Sequence, residues 1–246
     1  MNVCAADLHV HTALSPCADN DMTPPAIVEK ALAEGLGMIA ICDHNSARNA
    51  AAVQEAAGAR LAVLAGMEIT TVEECHVVAL FPDAAAAQAA GAEVGATLGQ
   101  VDAGYETFFG EQHVLAADGR ERTRETLALA TATQLDVDAV VELVHAHGGL
   151  AVAAHIDRRS FGVIGQLGFF PAGAGFDAVE LSRHVAPGSP SAAEFAVYSL
   201  PIVHSSDAHY ASDIGAVHTL VHCERPTFAE LALALAGTRG RSVGDA

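Results

Sequence analysis

The chain has 246 residues, of which 51% are hydrophobic, so it can bury the core of one α/β barrel or of two smaller domains. Its formal net charge of −18 opposes binding to a phosphate backbone, and we expect no stable nucleic-acid complex. The five cysteines show no CxxC spacing, and no apolar run reaches the roughly 18 residues of a membrane span. We therefore expect a cytoplasmic protein with reduced thiols and no membrane partner.

The first part of the chain alternates short apolar runs with helical patterns. Strands are predicted over 3–8, 38–42 and 61–67, helices over 23–34 and 47–57, and a short returning strand over 75–81. Polar residues follow the strands, and Gly35 and Gly58 end the two helices. Strands that alternate with helices in this way are typical of an α/β fold with a parallel sheet.

Residues 83–135 break the alternation. The segment opens with an alanine-rich helical run and contains a turn at Asp118–Gly119. We interpret it as an insertion with some helix of its own, placed between two units of the main fold. Long insertions often have a function, so this segment is either a lid over a site or a peripheral addition to the fold.

The alternation resumes after the insertion. A helix is predicted over 137–147, strands over 150–154, 176–181, 201–204 and 217–221, and a closing helix over 226–236. There are about seven strand–helix units, without internal repeats or Gly/Ser linkers. The sequence therefore predicts a single domain over 1–246, folded as a closed or nearly closed (β/α) barrel.

Residues that can bind metals stand where the strands end. In His9-x-His11, the two imidazoles lie on one face of an extended chain. The full set of such residues is His9, His11, Asp43, His44, Glu68, His76, His155, Asp207 and His209. Loops at the carboxyl ends of barrel strands share one face, so these side chains are expected to meet there. Histidines and carboxylates without paired thiolates suit Mn²⁺, Fe²⁺ or Zn²⁺.

Several of these residues lie in motifs that resemble a known family. The motifs are Asp7-Leu8-His9-Val10-His11-Thr12, Cys42-Asp43-His44-Asn45, Gly66-Met67-Glu68, His76, Ala154-His155 and Ser206-Asp207-Ala208-His209. In this order they are similar to the motifs of the PHP (polymerase and histidinol phosphatase) family, over nearly the whole chain except 83–135. The resemblance implies a distorted seven-stranded (β/α) barrel with a trinuclear metal centre that hydrolyses phosphate esters.

The resemblance also assigns roles to the ligand-type residues. It implies a first metal held by His9, His11, Glu68 and Asp207, a second held by Glu68, His76 and His155, and a third held by His44 and His209, with Asp43 in the same shell. Family members usually supply a His or Asp from the loop after His-x-His, whereas this chain has Cys17, with Asp19 close behind. Either Cys17 binds the third metal as a thiolate, or Asp19 or water does so. We therefore expect two to three divalent ions.

The phosphate would need donors as well as metals. Arg158 matches the position where relatives place a phosphate-binding arginine, and a guanidinium can bind an anion through two hydrogen bonds. Arg183 and His184 follow the strand 176–181 at the same rim and are further substrate-binding candidates. Besides Glu68 and Asp207 as catalytic metal ligands, we expect Arg158 to stabilise charge and His209 or a water to protonate the leaving group.

These inferences predict a metal-dependent phosphoesterase that uses a metal-activated water on a phosphate ester of a small molecule or nucleotide. The expected partner is a small phosphorylated substrate. Two alternatives stay open. One is a metal-dependent hydrolase of another bond, such as an amide or a cyclic ester, and the other is a non-catalytic metal-binding barrel. Exonuclease activity on short oligonucleotides is compatible with the motifs, although the net charge does not favour it. The sequence does not indicate an oligomeric state.

Overall fold

The computed structural model describes the backbone of residues 1–245 and the side chains of residues 1–244. The strands are β1 (Asn2–Val10), β2 (Met38–Ile41), β3 (Ala62–Thr70), β4 (His76–Phe81), β5 (His113–Leu115), β6 (Glu121–Arg124), β7 (Leu150–Ala153), β8 (Ala178–Leu181), β9 (Ile202–His204), β10 (Thr219–Cys223) and β11 (Ser242–Asp245). The helices are α1 (Pro24–Ala33), α2 (Ala50–Ala57), α3 (Ala84–Gly95), α4 (Tyr105–Phe109), α5 (Val137–Ala146), α6 (Val163–Leu167), α7 (Pro190–Glu194) and α8 (Phe228–Leu235).

One sheet of nine strands organises the fold, in the order β11-β10-β1-β2-β3-β4-β7-β8-β9. The edge strands β9 and β11 lie against each other, which makes the sheet a nearly closed barrel. The predicted α/β barrel is thus confirmed. Its sheet has nine strands where the resemblance implied seven, because the eight strands predicted from the sequence and β11 all pair into it. The parallel rhythm holds for β1–β2–β3 and β7–β8–β9, whereas β4, β10 and β11 pair antiparallel.

The core lies on both faces of this sheet. On the outer face, side chains such as Ile39 and Val179 pack against apolar residues of α1, α2 and α5. On the inner face, Ala6, Leu8 and Leu64 fill the barrel, and α8 adds Leu231 and Leu235. Strands covered on both faces explain why the sequence shows continuous apolar runs rather than strict alternation.

The insertion, residues 83–135, contains α3, α4 and the separate β5–β6 hairpin, whose turn holds Asp118–Gly119. It packs against the loop that follows β1, because the His113 amide donates to the Ala13 carbonyl at 2.8 Å. The side-chain amide of Asn49 also donates to the His113 carbonyl, at 2.9 Å. The insertion is therefore fastened beside the carboxyl end of β1. No helix within the described residues has the length and apolar character needed to span a membrane.

Candidate metal centre

An irregularity in β1 aims both histidines of His-x-His into the barrel. Ala6 and Leu8 belong to the inner core, whereas Val10 belongs to the outer core, so the alternation of faces shifts between residues 8 and 10. The pairing of β1 with β2 is irregular at the same point. Bulges of this kind re-aim side chains. As a result, His9 and His11 are completely buried at the carboxyl end of β1.

Backbone hydrogen bonds bring distant loops to the same end. Ala208 exchanges backbone hydrogen bonds with His9 and His11, at 3.3 and 3.0 Å, and so places the residues on either side of it next to β1. One of these, Asp207, has a φ of 51°, and His155, just after β7, has a φ of 29°. A left-handed backbone is uncommon outside glycine and is concentrated at functional sites.

The β3–β4 hairpin supplies a second pair of ligand-type side chains. Because β4 runs antiparallel to β3, its first residue, His76, pairs with Thr70 at the end of β3. Glu68 is buried inside the same hairpin, and its Oε1 lies 2.7 Å from His76 Nδ1. An antiparallel strand can thus deliver its first residue to the rim where the parallel strands end.

Glu68 is the centre of the arrangement. Its Oε1 also lies 3.1 Å from His155 Nε2 and 3.4 Å from His9 Nε2. Its Oε2 lies 3.0 Å from His44 Nδ1 and 3.4 Å from His11 Nε2. A single buried carboxylate therefore faces several imidazoles, as a bridging metal ligand does.

Asp207 closes one side of this arrangement. Its Oδ1 lies 3.2 Å from His11 Nε2 and 3.5 Å from His9 Nε2, and these two nitrogens are 3.1 Å apart. Among the described residues, three groups have ligand atoms close enough to hold one ion each: His9, His11, Glu68 and Asp207; His44, Glu68 and His76; and His11, His44 and His209.

Some buried polar atoms of the cluster have no hydrogen-bond partner, and this indicates whether the residues suit metal ions. Glu68 Oε2 and His76 Nδ1 are buried and make no hydrogen bond, although each has a neighbouring ligand-type atom within 3.0 Å. Leaving such groups unpaired in a protein interior is costly. Atoms that approach each other without the geometry of a hydrogen bond fit a shared cation. The residues present therefore fit divalent metals.

The electrostatics of the cluster point the same way. Burial alone raises the pKa of the Glu68 carboxyl, but His76, His9 and His44 outweigh it and hold that pKa well below its usual range. Burial likewise raises the pKa of Asp207, and His9 and His11 lower it well below the ordinary value. Both carboxyls are therefore ionised at neutral pH, as metal ligands must be.

Cys17 lies at the edge of the cluster. The residue is exposed as a whole, yet its thiol interacts with His44 and His209. Burial of the sulfur raises the pKa of this thiol, but hydrogen bonds from His209 and His44 outweigh that effect and lower the pKa from 9.0 to about 6. Asp19 is exposed and accepts a hydrogen bond from the Asp21 amide, and its own amide donates to the His209 carbonyl at 2.9 Å. Cys17 is thus closer to the predicted third site than the Asp19 carboxylate is.

Asp43 is placed differently from the other predicted ligands. Its carboxylate accepts hydrogen bonds from the Thr12 amide, the Thr12 hydroxyl and the Ser15 hydroxyl, at 2.7 to 2.8 Å. It therefore holds the loop after His11 in place and lies outside the three groups of ligand atoms. A role in orienting the ligands, rather than direct coordination, suits this position.

Two residues that the sequence reading missed orient the imidazoles. The Glu180 carboxylate accepts from His9 Nδ1 at 3.1 Å and from the His155 amide at 3.1 Å. The Ser15 hydroxyl accepts from His11 Nδ1 at 2.8 Å. Both contacts leave the Nε2 atoms free to bind a metal, as supporting groups around metal sites do. The sequence did carry a signal for Glu180, because a glutamate within the apolar strand β8 needs a buried partner.

The substrate-binding candidates differ in position. A cavity of about 210 Å³ opens onto the cluster and is lined by Cys17, His44, Glu68, His76, His155, Arg158, Phe161, Asp207 and His209. Arg158 therefore faces it, with Nη1 2.6 Å from Asp207 Oδ2. Arg183 pairs with Asp213 at 2.8 Å, and His184 is exposed; neither lines this cavity.

The sequence matches two protein-family models, and these matches show the family to which the chain belongs. The model of the PHP domain matches residues 7–165, more than half of the chain. The chain belongs to the PHP family. A second model, described as PHP-associated, matches residues 191–238 of this PHP protein. A single catalytic domain over 1–246 stays a prediction. No curated protein matches the sequence at a significant level.

Solved structures share the fold of this PHP protein. The lesion-specific endonuclease EndoQ from Pyrococcus furiosus has a TM-score of 0.76 at 18% identity, over 98% of this chain and 58% of that one. Endonuclease Q in complex with a 27-mer duplex substrate that carries an abasic lesion has a TM-score of 0.75 at 17% identity, with the same coverage. A proposed metal-dependent phosphoesterase from Bifidobacterium adolescentis has a TM-score of 0.57 at 22% identity, over 83% and 87%. The chain thus spans about 58% of the length of the endonucleases.

One expectation needs correction. The sequence reading predicted a small phosphorylated substrate and no stable nucleic-acid complex, whereas a protein of the same fold binds a DNA duplex at its active site. The prediction relied on the net charge of −18, which sums over the whole surface. Binding depends instead on the local field. Arg158 lines the cavity, and divalent ions bound there would also change the sign of that field.

Proposed function

We propose that this protein is a metal-dependent phosphoesterase that cleaves phosphodiester bonds of a nucleic-acid strand. Family membership and the clustered imidazoles and carboxylates support the broader statement, a metal-dependent hydrolase. The observation that carries the proposal is the buried Glu68 carboxylate, which lies within 3.4 Å of nitrogen atoms of His9, His11, His44, His76 and His155.

The three metal positions that we propose are those that the family motifs imply. The first would be held by His9, His11, Glu68 and Asp207, the second by Glu68, His76 and His155, and the third by His44 and His209 together with the Cys17 sulfur. The groups of ligand atoms that lie close together differ in part, since His44 rather than His155 lies with Glu68 and His76. Divalent ions there would supply a water of lowered pKa as nucleophile and would neutralise charge on the phosphoryl oxygens. Mn²⁺, Fe²⁺ and Zn²⁺ are the candidates, and the Cys17 sulfur favours the softer two.

Arg158 is the residue that would bind the phosphate. Its ion pair with Asp207 fixes one end of the guanidinium, and its side chain is 31% exposed toward the cavity. The remaining N–H groups can donate to non-bridging phosphate oxygens and stabilise the charge that develops on them. His209 has two candidate roles, as a ligand and as the proton donor to the leaving oxygen. Its Nδ1 donates to the Asp207 carbonyl at 3.0 Å, so Nε2 would serve in either role.

A protein of the same fold supports a nucleic-acid strand as the substrate. That protein, endonuclease Q, binds a DNA duplex that carries an abasic lesion at the active site. In the present chain, a second cavity of about 410 Å³, lined in part by Asp19, Gly110, Glu111 and Tyr210, shares Cys17 with the cavity over the cluster. The two cavities therefore adjoin at Cys17.

Elemental analysis followed by a cleavage assay tests the proposal. The purified protein is expected to contain divalent metal and, with Mn²⁺ added, to cleave labelled DNA duplexes with and without an abasic site. Metal removal with a chelator should abolish cleavage, and metal addition should restore it. Arg158→Gln should reduce cleavage while leaving the metal content unchanged, whereas Arg60→Gln, which removes an ion pair with Glu29 away from the cavity, serves as the matched control.

Other outcomes would point to the alternatives. Metal-loaded protein that leaves DNA intact but hydrolyses amides or cyclic esters would be a hydrolase of another bond. Protein that binds metal and hydrolyses none of these substrates would be a non-catalytic metal-binding barrel. Either result contradicts the proposal.

A further inference from the structure

Phe161 presents a flat apolar surface at the mouth of the cavity. One face of its ring stacks on His76, with ring centroids 4.6 Å apart and an interplanar angle of 17°. The residue is nevertheless 43% exposed, and it lines the cavity over the metal centre. A ring with one face covered and the other open can accept a further planar group.

The backbone around Phe161 is held in an unusual conformation. Its φ is 62°, in the left-handed region that bulky side chains rarely adopt. Its carbonyl accepts a hydrogen bond from the His76 amide at 2.8 Å. The next residue must be glycine, because a Cβ on Gly162 would lie 2.5 Å from the Arg158 carbonyl oxygen. One tightly wound loop therefore presents His155, Arg158 and Phe161 to the same cavity.

The size of the cavity determines what can reach the ring. At about 210 Å³ it is smaller than the roughly 300–1,000 Å³ of typical ligand pockets. It has room for a phosphoryl group beside Arg158, but the group attached to that phosphate must stay at the mouth. There it meets the open side of Phe161.

We propose that Phe161 is a specificity-determining residue whose ring stacks on the nucleobase next to the phosphodiester that is cleaved. This inference rests on the proposed function and adds the substrate group that the protein recognises. Stacking on an aromatic ring tolerates any base, because every base has a π-face. The protein would then favour a phosphodiester with a base beside it, without selecting a sequence.

Two DNA strands of equal length test this inference. One carries thymine at every position, and the other carries abasic tetrahydrofuran units, so that the phosphates are the same in both. The wild type is expected to cleave the thymine strand with a kcat/KM about tenfold higher, the order of effect of one stacked base. Phe161→Leu should bring the ratio close to one, mainly through KM, and Phe161→Tyr should keep it. Phe169→Leu, which changes a phenylalanine that is 61% exposed outside the cavity, is the matched control and should keep the ratio.

The outcomes separate this inference from the proposed function. If metal-loaded wild type cleaves neither these strands nor the DNA duplexes, the phosphodiesterase proposal fails and the inference fails with it. If it cleaves the duplexes but neither strand, only the stacking inference fails. If wild type cleaves both strands equally, or if Phe161→Leu keeps the ratio, only the stacking inference fails. A Phe161→Leu protein with less bound metal and equal losses on both strands would show that the ring positions His76 instead, which also overturns the inference.

Discussion

The barrel rim and the insertion use polar side chains in opposite ways. In the insertion, buried polar groups satisfy one another: the Gln112 side chain accepts from the Tyr105 hydroxyl at 2.9 Å and donates to the Leu127 carbonyl at 2.8 Å. At the rim, Glu68 and His76 lie close together with atoms that make no hydrogen bond. Satisfied polar groups stabilise a fold, whereas unsatisfied groups that converge fit a bound cation. Hydrogen bonding thus distinguishes polar side chains that stabilise the insertion from those at the rim that suit a metal site.

The largest effect on activity is expected from replacing Glu68 at the rim, in comparison with Glu125, a buried glutamate in the insertion. Glu68→Gln at the rim should lower activity by more than roughly 100-fold, beyond the loss typical of residues that only support ligands. It should also lower the metal content, because the bridging carboxylate is lost. Glu125→Gln in the insertion removes the ion pair with Arg48 but should leave the metal content unchanged. Elemental analysis and rate measurements check both, and equal metal content in the two variants would remove the distinction.

A smaller effect is expected from Glu180, which supports ligands without belonging to the three groups. Glu180→Gln weakens its hold on His9 and His155, so we expect metal affinity to fall by about 10- to 100-fold. Titration of metal-stripped protein with Mn²⁺ measures this. Asp177→Asn is the matched control, since that carboxylate contacts His145 and the Ala151 amide instead. Unchanged affinity in Glu180→Gln would show that the imidazoles need no support from β8.

The junction between the two regions can be tested at a glycine. Gly110 has a φ of 104°, and a Cβ there would lie 2.1 Å from the Pro16 carbonyl oxygen. Gly110→Ala should therefore lower the free energy of unfolding by about 1–3 kcal/mol, as strained backbone does. Gly99→Ala, where a Cβ meets no atom within 4 Å, should change it much less. Chemical denaturation compares the two, and equal midpoints would argue against a fixed junction.

The smallest expected effect comes from two helix caps, one in each region. Asp83 accepts from the Ala86 amide at the start of α3, and Asp136 accepts from the Ala139 amide at the start of α5, both at 2.8 Å. Each Asp→Ala change should cost about 1 kcal/mol. If the insertion unfolds together with the barrel, both variants shift the same unfolding transition by similar amounts. A shift seen only for Asp136→Ala would mean that the insertion unfolds separately.

The ligand-type residues at the rim could be predicted because each can be recognised within a short stretch of sequence. A histidine or carboxylate directly after an apolar run stands at a strand end, and parallel strands end on one face. His9, His44, His155 and Asp207 follow this rule, and the structure brings them together. The family motifs then supplied the order of the ligands, and the family itself is confirmed.

Other features depend on contacts that a single stretch of sequence does not reveal. Glu180 lies inside the apolar strand β8, and its partners, His9 of β1 and the His155 amide after β7, come from distant parts of the chain. The antiparallel pairing of β10 with β1 joins residues 2–6 to 219–223, and nothing in either segment specifies the partner. The expectation about nucleic acid was wrong for a related reason, because a net charge does not tell where charges lie.

The β3–β4 hairpin has a consequence for how the metal centre assembles. Glu68 and His76 belong to one hairpin, so their contact closes a short loop, and short loops close faster than long ones. The contact between His11 and Asp207 instead joins positions 196 residues apart. Glu68 and His76 can thus lie side by side while the ribosome is still adding the later ligand-type residues. The proposed metal site can therefore be completed only after Asp207, which lies in the last third of the chain, has been synthesised.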